Sequence, residues 1–99
     1  YPESLADYNK VIILDSNYAD AYINRGSVKL KIGAYEEALN DFYRATRISS
    51  NFPEAYFNCG VAYQKLGLSA MAEEYFKKAR YLKNQNKLIL KNNSIFFQQ

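Results

Sequence analysis

The main pattern in the chain is a set of positions that recur with the spacing of one helix face. Two sets follow the spacing i, i+4 and i+7, namely Tyr22, Gly26 and Lys29, and then Ala38, Phe42 and Ala45. Gly33 separates the two sets. Small side chains alternate with aromatic ones, which lets two helices approach closely and still fill the space between them. We therefore expect two antiparallel helices joined by a tight turn near Gly33.

The same pattern occurs a second time at a fixed offset of 34 residues. Residues 20–26 read DAYINRG, and residues 54–60 read EAYFNCG. The longer segments 19–52 and 53–86 align without a gap. Nine positions are identical between them: Ala21/Ala55, Tyr22/Tyr56, Asn24/Asn58, Gly26/Gly60, Lys31/Lys65, Gly33/Gly67, Ala38/Ala72, Phe42/Phe76 and Ala45/Ala79. Each segment is expected to form one helical hairpin, and the second turn is expected near Gly67.

Residues that favour helix starts precede both units. Asn17 and Asn51 are predicted N-caps, because an Asn side chain can accept a hydrogen bond from the first free N–H groups of a helix. Asp20 and Glu54 follow within the first turn, where the positive end of the helix dipole favours an acid. Pro53 also suits a first turn, since its missing N–H costs little there.

The pattern extends beyond the two units at both ends of the chain. Residues 1–18 align with the second helix of a unit and are predicted to be the second helix of a truncated preceding repeat. Residues 87–99 place Leu90, Ser94 and Phe97 where the next first helix would bury side chains. They predict a C-terminal capping helix or a degenerate partial repeat. Stacked hairpins of this kind need about three units for stability, so we expect about six helices and exposed apolar surface at the end helices.

The composition argues against catalysis. The chain has no histidine and a single cysteine, Cys59, which excludes the usual Ser-His and Cys-His nucleophilic sites and the common zinc sites. Its four glycines lie far apart, so no phosphate-binding loop is expected. Adjacent acids at 36–37 and 73–74 could pair in a hydrolase, but neighbours on a helix point in different directions. We predict no enzyme activity, no metal ion and no cofactor, and we expect Cys59 to pack between helices.

Charge is unevenly distributed along a chain whose net charge is +3. Residues 75–99 contain no acid and six cations: Lys77, Lys78, Arg80, Lys83, Lys87 and Lys91. Cations favour a helix C-terminus and a solvated face. The alternative is contact with an acidic protein, RNA or anionic lipid, with Tyr75 and Tyr81 available for stacking. We disfavour nucleic acid as the main partner because the net charge is mild.

No membrane span and no secretory segment is predicted from the sequence. A lone cysteine cannot form an internal disulfide. These features favour an intracellular, cytoplasmic location.

The repeated motifs resemble the tetratricopeptide repeat, a helical hairpin of 34 residues. The resemblance is carried by Tyr22-x2-Arg25-Gly26 with Ala38-x3-Phe42, and by Tyr56-x2-Cys59-Gly60-x2-Tyr63 with Ala72-x3-Phe76. The sequence departs from the family pattern at Lys29, where Tyr is usual, at Arg25 and Cys59, where Leu is usual, and at Ser50 and Asn84, where Pro is usual. The resemblance implies an all-α fold, a right-handed superhelical stack of antiparallel helical hairpins.

The resemblance also implies a concave groove that binds a peptide segment of a partner protein. Its lining would come from the first helix of each unit: Asp20, Ile23, Asn24, Ser27, Leu30, Lys31, Glu54, Phe57, Asn58, Val61, Gln64 and Lys65. On such a face apolar side chains would anchor the ligand and amides would bond its backbone. Alternatives are self-association through the exposed end helices and binding of RNA or an acidic partner on the basic face.

Two known groove chemistries of the family give different expectations. Asn24 and Asn58 are similar to the asparagine ladder of a sugar transferase, in which side-chain amides hold a peptide backbone. The alternative for these asparagines is local packing. The carboxylate clamp for acidic chaperone tails is not expected, because Glu54 and Asn58 stand where that clamp requires Lys and Arg, and Glu54 would repel an acidic tail.

Overall fold

Four α-helices account for the ordered secondary structure of the computed structural model, which describes residues 18–97, with side chains from 18 to 87. They are α1 (Ala19–Lys31), α2 (Tyr35–Ile48), α3 (Pro53–Lys65) and α4 (Ser69–Phe97). No strand occurs between residues 18 and 97. The predicted all-α fold is therefore confirmed for this part of the chain.

Tight turns at two glycines join the helices into hairpins. Gly33 and Gly67 have φ values of +85° and +78°, a left-handed conformation that side chains other than glycine adopt at a cost. In each turn a backbone N–H donates a hydrogen bond to a carbonyl near the end of the preceding helix. In the first turn, the N–H of Ala34 donates to the carbonyl oxygen of Lys29 at 2.8 Å. The first hairpin is α1 and α2, and the second hairpin is α3 and α4.

Each hairpin closes through a glycine that faces a phenylalanine ring. A Cβ added at Gly26 would lie 2.6 Å from Cε1 of Phe42, and one added at Gly60 would lie 2.6 Å from Cδ1 and Cε1 of Phe76. Real Cβ atoms do not approach other atoms this closely, so each ring occupies the space that a side chain would need. The repeated pairing of a small residue with an aromatic one thus has a direct structural basis.

The core lies where the hairpins meet. One buried cluster joins α1, α2 and α3 through Ala21, Tyr22, Ile23, Ala45 and Ala55, with Ala19 and Phe52 against it. A second cluster joins α2 and α3 through Ala38, Phe42, Cys59 and Ala62, with Leu30, Leu39, Tyr43 and Tyr75 against it. Helix α3 therefore packs on both helices of the first hairpin, and α4 packs on α3.

The helix starts differ from the sequence prediction. The N-caps are Tyr18 and Phe52, and neither makes a side-chain capping bond. Asn51 is therefore not the N-cap of α3, because the helix begins one residue later, at Pro53 in the first helical position. The predicted N-cap Asn17 lies outside the described residues, and the N-cap position of α1 is held by Tyr18.

The expected six helices are not confirmed, because the described part of the chain contains four. Helix α4 continues without interruption for 29 residues, through the position near residue 87 where a new helix was expected. Residues 84–86 read Asn-Gln-Asn and offer neither the glycine nor the proline that would stop it. The first of the six expected helices falls on residues 1–17, which lie outside the described part of the chain. The right-handed superhelix stays a prediction.

Candidate functional site

The residues predicted to line a groove lie on α1 and α3, which contact each other directly. Most are accessible. Asp20, Asn24, Lys31, Glu54, Gln64 and Lys65 are exposed, and Ser27, Leu30, Asn58 and Val61 are half-buried. On α1 the spacing of Asp20, Asn24 and Lys31 keeps them near one side of the helix. We call this surface the α1/α3 face.

The two predicted apolar anchors of the face behave differently. Ile23 is only 3% exposed and belongs to the same buried cluster as Ala55. It is therefore not accessible to a ligand, because α3 packs over it. Phe57, at the equivalent position of the second hairpin, is 51% exposed, and its ring lies 5.3 Å from the ring of Phe76. No described helix covers Phe57 as α3 covers Ile23.

Phe57 belongs to an open apolar pocket at the end of the second hairpin, with a volume of about 800 Å³. Its apolar lining residues are Phe52, Pro53, Phe57, Phe76 and Ala79, and its charged lining residues are Glu54, Arg80 and Lys83. We call this surface the end pocket. Sequence reasoning placed Phe57 in the groove and did not identify the pocket.

An ionic cluster connects α1 and α2 on the other side of the first hairpin. The Arg25 guanidinium donates two hydrogen bonds to the Asp41 carboxylate, one of them from Nε at 2.9 Å. Nζ of Lys29 lies 3.3 Å from the same carboxylate. Asp41 is 2% exposed, and its hydrogen bond raises the pKa of Arg25. A buried carboxylate is thus held between two cations.

The second hairpin has an aromatic cluster at the equivalent positions. Residues 34 positions after Arg25, Lys29 and Asp41 are Cys59, Tyr63 and Tyr75. The hydroxyl groups of Tyr63 and Tyr43 are hydrogen-bonded, and the Tyr75 hydroxyl donates to Tyr43 at 3.0 Å. Cys59 is fully buried among these helices, which confirms its expected packing role.

The ionic cluster accounts for the departures from the repeat pattern at Arg25 and Lys29, because both side chains contact Asp41. Arg25 and Lys29 stand out in the sequence as departures from the repeat pattern, whereas Asp41, the buried acid that both contact, does not. One sequence feature does point to Asp41. In the alignment of the two units, an acid at position 41 stands opposite the aromatic Tyr75. Both clusters fill the space between the helices, one with charge and one with rings.

Burial of the aromatic cluster makes stability sensitive to alkaline pH. Burial raises the pKa of Tyr63 to about 12 from 10.0, and that of the Cys59 thiol to about 12 from 9.0. The folded chain therefore keeps protons that the unfolded chain loses. The contribution of these groups to the free energy of unfolding should be fully present below about pH 9. It should be lost as the pH rises from about 9 toward about 12.

Urea denaturation from about pH 8 to about pH 11.5 measures this fall. Tyr63→Phe keeps the ring but removes one phenol, so its stability should decline less steeply above pH 10. The thiol contribution, which begins near pH 9, should remain. Identical pH profiles for the parent and Tyr63→Phe would contradict the assignment.

Neither a metal-ligand cluster nor a thiol with a lowered pKa occurs among the described residues. No group of three or more His, Cys, Asp or Glu side chains within the described residues is placed to hold a metal ion. A thiol with a raised pKa stays protonated at neutral pH and is a poor nucleophile. Within residues 18–97, no helix combines the length and the apolar character that crossing a membrane requires.

Two family models match the sequence. One, described as TPR repeat, matches residues 27–67, and the other, described as tetratricopeptide repeat, matches residues 53–86. Together they cover more than half of the chain. Among curated proteins, no significant match is found.

Solved structures share the fold. A crystal structure of MamA is 31% identical, with a TM-score of 0.81, over 84% of this chain and 48% of the MamA chain. The second TPR of Spaghetti (RPAP3), bound to the HSP90 peptide SRMEEVD, is 29% identical, with a TM-score of 0.80, over 83% of this chain and 76% of that one. A further MamA structure (MSR-1) is 22% identical and shows likeness of fold alone. The chain spans about half the length of the MamA chains that it matches.

Proposed function

Because the chain belongs to the tetratricopeptide repeat family, we propose that its α1/α3 face binds an extended peptide segment of a partner protein. The chain acts as a scaffold in an intracellular setting and catalyses no reaction. Repeats of this family generally mediate protein–protein interaction, and a structural neighbour holds a peptide. The observation that carries the proposal is the accessible row of paired polar positions on α1 and α3.

Asn24 and Asn58 are the central recognition residues of this proposal. They occupy equivalent positions of the two first helices, one exposed and the other half-buried. A side-chain amide offers both a donor and an acceptor, which matches the alternating groups of an extended peptide backbone. Such bonds recognise the backbone, so they suit a partner segment whose side chains make the remaining contacts.

Charges at the two edges of the face favour a partner with separated charges. The acids Asp20 and Glu54 lie in the first turns of α1 and α3, and Lys31 and Lys65 end these helices. One edge of the face is therefore acidic and the other basic. A segment with cations on one side and acids on the other complements both edges, whereas a uniformly acidic tail meets repulsion at Glu54.

A selection from a phage-displayed library of random peptides tests the proposal. Peptides that bind the parent should bind Asn24→Ala combined with Asn58→Ala about tenfold more weakly or worse, because each lost hydrogen bond contributes roughly 1 kcal/mol. The matched control is Asn40→Ala combined with Asn84→Ala, which removes two exposed amides elsewhere. The proposal would be refuted if the selected peptides bound the variant with Asn24→Ala and Asn58→Ala as tightly as the parent.

The basic residues of α4 provide the competing interpretation. Lys77, Lys78, Arg80, Lys83 and Lys87 are all exposed, as a solvated face requires. If RNA or an acidic partner binds there, the affinity should fall steeply with added salt. Binding that resists salt and depends on the two asparagines would favour the α1/α3 face.

A further inference from the structure

The first hairpin carries a surface equivalent to the end pocket, and there the structure shows which helix covers it. The residues 34 positions before Phe57, Phe76 and Ala79 are Ile23, Phe42 and Ala45. These three are at most 3% exposed. The first hairpin therefore carries the same apolar surface as the end pocket, but in a covered state.

Helix α3 is what covers the first copy of this surface. Phe52, at the start of α3, packs against the cluster that contains Ile23, Ala45 and Ala55. Ala55, Cys59 and Ala62 follow at i, i+4 and i+7, and all three are fully buried in the two core clusters. The surface thus accepts a helix whose contact side is made of small residues.

Within the described residues, no segment lies over the second copy of this surface. After α2 the chain bends over residues 49–52 and returns as α3. At the corresponding place α4 continues straight to Phe97, and no described segment returns to the second hairpin. Phe57 consequently remains half exposed.

Charge distinguishes the open copy from the covered one. The positions of Arg80 and Lys83 are held in the first hairpin by Thr46 and Ser49, which are neutral. These positions lie near the C-terminal end of the second helix, where the covering helix begins. A helix seated in the end pocket would therefore bring the positive end of its dipole close to two cations.

Because of that repulsion, the pocket should favour a helix with acidic residues in its first turn. Acids in the first turn offset the cations of the pocket and also stabilise the helix that carries them. Glu54 lies in the pocket as well, but one carboxylate faces two cations. Arg80 contacts Glu73 at 3.5 Å on the exposed side, and such surface pairs constrain a side chain little.

We propose that the end pocket is a docking site for an amphipathic helix of a partner protein. The helix carries small residues at i, i+4 and i+7 over Phe57 and Phe76. Acidic residues in its first turn face Arg80 and Lys83. The end pocket shares Glu54 and Phe57 with the α1/α3 face, but it accepts a folded helix on the surface formed with α4 instead of an extended segment.

Two fluorescein-labelled peptides of residues 51–66, both with Cys59→Ala, serve as probes. The acidic probe carries Asn51→Asp beside its Glu54, and the neutral probe carries Glu54→Gln. Fluorescence anisotropy with the full chain should show binding of the acidic probe about fivefold to tenfold tighter than binding of the neutral probe. Absence of binding by both probes would overturn the proposal.

Reversing the charges of the pocket tests whether Arg80 and Lys83 cause the preference for the acidic probe. Arg80→Glu combined with Lys83→Glu should abolish or invert the preference, whereas Lys77→Glu combined with Lys87→Glu makes the same charge change elsewhere on α4 and should keep it. Equal effects of the two variants would overturn the assignment. Circular dichroism confirms that both variants keep the helical content of the parent.

Two further measurements separate the alternatives. The variant with Asn24→Ala and Asn58→Ala should bind the acidic probe normally, so the two proposals can fail independently. Sedimentation of the chain alone should show no association that depends on Arg80 and Lys83. An association abolished by their reversal would identify a second copy as the occupant and overturn the partner assignment.

Discussion

Replacing Asp41 with alanine is expected to lower the free energy of unfolding by about 3 kcal/mol. The substitution leaves Arg25 and Lys29 without the carboxylate that both contact. Their side chains are 18% and 19% exposed, so water can replace only part of the lost interaction. This places the expected cost at the lower end of the range for a broken buried ion pair.

Removal of the whole cluster should be much less harmful than removal of its acid. We expect Arg25→Met, Lys29→Met and Asp41→Leu together to retain most of the parent stability, because no charge is then left without a partner. Urea denaturation followed by circular dichroism measures all variants. If the triple variant is as unstable as Asp41→Ala, lost packing and not stranded charge is the cause.

An exposed ion pair provides the control for this comparison. Glu73 lies 3.5 Å from Arg80, and their side chains are 55% and 65% exposed. Glu73→Ala should change the stability by less than about 0.5 kcal/mol, because exposed pairs contribute little. A large effect at Glu73 would show that the loss of any acid destabilises this basic chain.

Gly26→Ala is expected to lower stability by about 2 kcal/mol. The added Cβ would overlap the ring of Phe42, which is fully buried and has no room to move. Because the ring is fully buried, the overpacking cost lies near the upper end of its range, about 3 kcal/mol, and the better helix propensity of alanine offsets about 1 kcal/mol of it. Gly26→Ala combined with Phe42→Leu should recover part of the loss.

Gly60→Ala offers a matched comparison within the same molecule. The distance from its added Cβ to the Phe76 ring is also 2.6 Å, but Phe76 is half-buried and lies at the end pocket. The ring can shift outward, so the expected loss is below about 1 kcal/mol. Equal losses at Gly26 and Gly60 would show that ring mobility does not decide the cost.

The hairpins were predictable from sequence because their determinants are local and occur twice. Gly33 and Gly67 mark the turns. Helix spacing also predicts that, in each hairpin, a phenylalanine of the second helix packs against Gly26 or Gly60 in the first helix. The start of α3 was misplaced, because a packed Phe52 occupies the cap position that favoured Asn51 on propensity alone. Tertiary packing decides such details.

The features that sequence missed depend on what lies opposite a residue. Ile23 and Phe57 are equivalent in sequence, yet one is covered and the other open, because α3 returns over the first hairpin and no helix among residues 18–97 returns over the second. Asp41 became interpretable only when its carboxylate was seen between two cations. The continuation of α4 was missed because a repeat period was extrapolated into a segment that lacks a helix stop.

The ionic and aromatic clusters also constrain how the two hairpins can diverge. Exchange of Asp41 for the tyrosine of the other hairpin strands two cations, and exchange of either cation leaves the buried acid with a single partner. A stepwise path between the two clusters therefore passes through less stable intermediates. Mutations at these three positions should therefore show strong epistasis, although Asp41 lies far from Arg25 and Lys29 in sequence.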